Sequence, residues 1–145
     1  MTTETRRQID FRRHGTGSAP FWGTAIVLLH LLINAVHVAA HVDLHIYLGR
    51  ADTAFVLVVI GLCPLIAVAL LWTSWDRAGL LLLAVSMAAS LLFGLYHHFV
   101  AAGPDHISSQ MRGFWATVFV LSAYGLLAAQ AAGTYVGLNF LLRRK

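Results

Sequence analysis

Four long stretches of this chain carry no charged residue: 14–42, 53–75, 78–104 and 113–142. A bilayer-spanning helix needs about 20 consecutive, mostly apolar residues, and each stretch supplies them. Charged residues make up about a quarter of an ordinary soluble domain; here they are 11%, against 59% hydrophobic. The pattern argues against a soluble catalytic domain and predicts an all-α integral membrane protein. We expect a four-helix bundle in up-down-up-down order, with helices near 20–48, 53–74, 77–102 and 109–142. These helices would form one domain over 20–145, and residues 1–19 read as a mobile basic tail.

Local signals set the expected boundaries. Gly49 is placed to stop helix 1 and Asp52 to cap the start of helix 2. Gly103-Pro104 ends helix 3, and Ser108 or Ser109 can cap helix 4. Pro64, just after Cys63, predicts a kink inside helix 2. Cys63 is the single cysteine, so neither an internal disulfide nor an all-thiolate metal site is possible.

Basic residues give an orientation. Arg6, Arg7, Arg12, Arg13, Arg77, Arg143, Arg144 and Lys145 fall on one side of the predicted bundle, and only Arg50 and Arg112 on the other. The positive-inside rule then puts both termini in the cytoplasm, with the chain in the plasma or cytoplasmic membrane. The same bias explains a pI near 9.8 through the lipid bilayer as partner, without nucleic acid. Thr5-Arg6-Arg7 is a weak twin-arginine signal, but the apolar run after it is too long and lacks a small-residue cleavage site, so helix 1 is expected to be retained.

Polar side chains interrupt this apolar background in one place above all. His30, Asn34, His37, His41 and His45 recur at steps of four, three, four and four, which puts them on one face of a helix. Polar groups inside a bilayer are costly and need a partner or a task. Two histidines one turn apart present imidazoles about 6 Å apart along the helix, and the spacing occurs twice, as His37/His41 and His41/His45. A further ligand has to come from another helix. On helix 3, Ser86, Ser90, Gly94 and His97 share one face, so His97 is the expected partner; its neighbour His98, about 100° away, is expected to look elsewhere. His98 and His106 remain candidates to complete the shell, and Asp43 or Asp105 to orient an imidazole through its second nitrogen. His30, about 10 Å from His37 along the helix, reads with Asn34 as a relay, a second site or a hydrogen-bonded strut. His14 reads as a solvated tail residue.

An imidazole set with a nearby carboxylate suits zinc, copper, iron or nickel rather than magnesium or calcium. The leading expectation is therefore a transition-metal site in the outer leaflet, for ion binding or handling. A b-type cytochrome is the alternative, with haem b held by His37 or His41 on one helix and His97 on another, for electron transfer. The HxxxH units and the His97-His98 pair also resemble the histidine boxes of membrane desaturases and hydroxylases. That resemblance covers those few residues; it implies a di-iron oxidase, for which the chain is short and its histidines lie on the unexpected side. A metal-free reading, a pH-responsive or accessory subunit, uses the same imidazoles as titrating or packing groups. On helix 4, Gly125, Ala129, Gly133 and Gly137 recur every fourth residue and form a close-packing face, either within the bundle or for a homodimer or larger membrane complex. Ser122 can bond back to its own helix, so no role is expected of it.

Overall fold

The computed structural model describes residues 19–110 and 112–143. The expected basic tail lies outside them, apart from Ala19. Four helices among the described residues are long and apolar enough to cross a membrane: α1 (Ala19–Asp43), α2 (Arg50–Leu71), α3 (Asp76–Val100) and α4 (Phe114–Leu142). A short 3-10 turn, Ile107–Ser109, lies between α3 and α4.

The helix ends differ from the sequence expectation for identifiable reasons. α1 stops at Asp43, not near 48, because His45 takes a left-handed φ of 56°. The Ile46 N–H returns to the His41 carbonyl at 2.9 Å and the His45 N–H to that of Val42 at 3.2 Å, the paired bonds of a Schellman stop. Glycine usually fills that position; a histidine there costs about 1–2 kcal/mol. Ile46 then folds back beside Ala40 and Phe119 and closes the turn with an apolar contact. Gly49 is therefore the residue before α2, and Asp52 sits in the first turn rather than at the cap. There its charge still favours the positive helix end. Ser108 and Ser109 belong to the 3-10 turn, and α4 begins later, after Gly113.

Two segments widen into π-helix: Val56–Leu62 in α2 and Tyr96–Val100 in α3. The first directly precedes Pro64, so the expected irregularity is there in this form. Pro64 has no N–H to return to the Ile60 carbonyl four residues back. His30 Nε2 donates to that carbonyl instead, at 3.2 Å. His30 thus makes the hydrogen bond of a strut through Nε2, while its Nδ1 is buried without a partner.

Packing separates the molecule into two ends. Val27, Ala67, Leu71, Leu80, Leu83 and Met87 form an apolar core at one end. At Gly137 a side chain would meet the Ala84 backbone nitrogen at 2.8 Å, and at Gly133 it would meet Met87. α3 and α4 touch this closely only because both residues lack a Cβ. The small-residue face of α4 is thus occupied by the chain's own helices: Ala129 is buried and Gly125 faces Ile33. A second subunit could use that face only by displacing them. At the other end Ala40, Ile46 and Phe119 form a smaller cluster, and the polar site lies there. Each helix turns a large apolar side chain outward: Leu32, Leu57, Leu92 and Leu121, one on each helix, are each 66% exposed.

Candidate metal centre

Three histidines from two helices meet at the Phe119 end. One ring nitrogen from each of His37, His41 and His98 lies within 4.8 Å of the others. His37 and His98 are buried and His41 is half-buried. The third histidine is therefore His98, not the expected His97. The cause is the π-helical turn Tyr96–Val100, in which the Ala101 N–H reaches back five residues to the Tyr96 carbonyl at 2.7 Å. A π-turn takes in an extra residue, so the face that an α-helix would have given to His97 passes to His98. His97 instead stacks on Phe93, with ring centroids 4.2 Å apart, and its Nε2 lies 3.9 Å from Asp52 Oδ1.

Hydrogen bonding fixes the proton on each ring. The Ser122 hydroxyl donates to the Val118 carbonyl at 2.6 Å, so its oxygen accepts from His37 Nδ1 at 2.8 Å. His41 Nδ1 faces the Ile46 carbonyl at 3.3 Å, and His98 Nδ1 faces the Asp105 carbonyl at 3.0 Å. Carbonyls only accept, so both nitrogens carry the proton. In the neutral rings every Nε2 is then a lone pair. Such second contacts settle which imidazole nitrogen can bind a metal.

The His37 and His41 lone pairs and an Asp105 oxygen converge without donors between them. His41 Nε2 is 3.1 Å from His37 Nε2 and 3.2 Å from Asp105 Oδ1. Asp105 Oδ1 is also 3.2 Å from His98 Nδ1, yet that N–H is not directed at it, and the oxygen is buried without a hydrogen bond. Burial alone would push the Asp105 carboxyl up. His98 beside it, then His41 and His37, outweigh burial and hold it below the usual carboxylate range. Three acceptors, one of them anionic, face one another and call for a shared positive charge. Two ligands at about 2.0–2.1 Å from a tetrahedral zinc ion lie ~3.3 Å apart, close to both contacts measured at His41.

The rest of the wall is aromatic. Phe119 stacks on His37 with centroids 4.9 Å apart, and His37 lies 4.7 Å from His41 and 4.9 Å from His98. As packed, the rings leave no slot for a haem macrocycle between His37 and His98.

The remaining sequence candidates lie outside this group. His45 is exposed at the helix stop and Asp43 is exposed beside it. His106 Nδ1 accepts from the Ser108 N–H at 3.1 Å and so closes the 3-10 turn. Asn34 lines a cavity next to the cluster, and His30 is held by Ile60. Asp105 does meet the imidazoles, directly rather than only through a second nitrogen. Ser122 and Phe119 were missed, although Ser122 lies on the inward face of α4 that also carries Ala129 and Gly133, which was readable from the spacing of small residues. No protein-family model matches the chain, and comparisons with curated proteins and with solved structures likewise return no match.

Proposed function

We propose that this chain is a small integral membrane protein that binds one transition-metal ion through His37, His41 and His98, with Asp105 beside them. The carrying observation is the convergence of the His37 and His41 Nε2 lone pairs with the buried Asp105 oxygen, while each Nδ1 proton is committed elsewhere. An imidazole-rich set with one carboxylate suits zinc or copper first, and iron or nickel next. The inside-out polarity supports membrane insertion: His30 and Gln130 are buried while large leucines face outward. The positive-inside bias favours helices crossing in up-down-up-down order, both termini cytoplasmic, and the histidine end towards the outer face of the plasma or cytoplasmic membrane. The four helices act as a single domain in this reading.

A single proton shared by His37 and His41 would also relieve the 3.1 Å contact. A third imidazole and a carboxylate at the same point favour the metal. The test is elemental analysis of tag-free, detergent-purified protein, followed by zinc and copper titration. We expect about one equivalent per chain, lost in His41→Ala. Protein that neither retains nor takes up either metal would leave the shared proton as the better account.

A further inference from the structure

Next to the imidazoles lies a cavity of about 330 Å3. α1 packs on the second half of α2, Cys63–Leu71, while Val56 and Ile60 of its π-helical half line the cavity. Volumes of about 300–1,000 Å3 are usual for small-ligand sites, so this one suits a molecule of roughly 15 non-hydrogen atoms. Val42 and Leu57 line it and are also 65% and 66% exposed. The cavity therefore reaches the apolar outer flank between α1 and α2, from which a lipid-soluble molecule can enter.

Away from the histidines and Asp105 its polar lining is Asn34, Tyr47, Thr53, Ser90 and Gln130, of which Thr53 donates to the Gly49 carbonyl at 2.9 Å. Ser90 is committed, donating to the Ser86 carbonyl at 2.7 Å. Gln130 is not: it is 2% exposed, and its Oε1 is buried with no donor. An unmet acceptor in such surroundings is costly, and an apolar residue of the same size would avoid the cost. At Gly94 an added Cβ would lie 3.7 Å from this oxygen and 3.9 Å from His98 Cδ2. The bare backbone of Gly94 thus separates the acceptor from the imidazole and leaves both open to one ligand. Apolar walls disfavour a charged ligand, and a ketone or ether has no proton to give.

The geometry points to a binding site for a neutral, lipid-soluble alcohol or phenol whose hydroxyl donates to Gln130 Oε1. This site goes beyond the metal reading and stands without it. Suitable probes are para-hexylphenol and its methyl ether, para-hexylanisole, which differ in the donor. Binding to the full chain in phosphatidylcholine nanodiscs is measured by equilibrium dialysis against protein-free nanodiscs. We expect one phenol per chain, bound about tenfold more tightly than the ether, the loss of one buried hydrogen bond. Gln130→Leu reduces the phenol to the affinity of the ether, and Val56→Trp, which fills the cavity, removes both. Equal binding of the two probes to the unmodified chain would overturn the proposal and needs no variant. A phenol preference that survives Gln130→Leu would overturn it too. Metal content is assayed on the same samples: its absence beside intact phenol selectivity counts against the metal reading alone, and retained metal beside equal probe binding counts against this site alone.

Discussion

Replacing Ser122 by alanine isolates the role of the proton arrangement from that of the ligands. The hydroxyl touches no candidate metal-binding nitrogen; its oxygen accepts from the His37 Nδ1–H at 2.8 Å while its hydrogen is donated to the Val118 carbonyl at 2.6 Å. Without it, His37 can place its proton on Nε2, where it would occupy the lone pair the metal needs. Hydrogen bonds between transmembrane helices are worth about 0.6 kcal/mol on average and rarely above ~2. Phe119 still stacks on the ring, so Ser122→Ala should fold. Loss of a partner that orients a ligand costs about 10–100-fold in metal affinity, or ~1.4–2.7 kcal/mol. The assay is competition for zinc against a chelator of known affinity, with thermal unfolding of the metal-free protein alongside. A Ser122→Ala protein that binds zinc within about threefold of the original, rather than the 10–100-fold expected, would refute the argument from Ser122 to a fixed His37 tautomer.

Four further outcomes follow from the geometry. His98→Ala should lose metal affinity while His97→Ala keeps it in the same competition assay; the reverse result would mean the π-turn does not set the register in the membrane. His45→Gly relieves the left-handed backbone and should stabilise the metal-free protein by about 0.5–1 kcal/mol in denaturant unfolding, with metal content unchanged; a loss of metal would restore His45 as a ligand. His30→Ala strands the Ile60 carbonyl and should destabilise by about 1–3 kcal/mol, but less when combined with Pro64→Ala, which returns the missing N–H; strict additivity in that double-mutant cycle would contradict the strut. Metal occupancy should fall on acidification, because protons compete for the imidazole lone pairs. The depressed pKa of Asp105 keeps its carboxylate ionised below the ordinary carboxylate range, so zinc content that stays constant until the protein itself unfolds in acid would point away from histidine ligands.

What the sequence disclosed depended on whether a feature was periodic. The four uncharged runs and the His37/His41 pair follow from composition and a regular α-helix, and both are present in the structure. His98 ranked behind His97 as a candidate because its placement depends on one non-α turn, and the residues Tyr96–Val100 carry no proline or glycine to announce it. The end of α1 was misplaced for a similar reason: the stop is made by His45 in a conformation usually left to glycine, so Gly49 drew attention instead. Asp105 could be named but not positioned, since loop geometry decides which imidazoles it meets. Ser122 looked self-satisfied, and its bond to Val118 does exist; what one helix cannot reveal is that the oxygen's second lone pair faces another helix.

The π-turn in α3 also separates two requirements that a continuous α-helix would tie together. Toward the start of α3, Ala84 and Met87 are locked against Gly137 and Gly133, where contacts leave no room for rotation. Beyond Leu95 the histidine end is indexed afresh, and it alone decides which side chain meets His37 and His41. A one-residue deletion within 99–100 would rewind that end like a dial turned by a single notch, exchanging one histidine for its neighbour while the glycine seam stays engaged. The side chain that joins the candidate site can therefore change by insertion and deletion as well as by substitution, without reopening the folding problem each time.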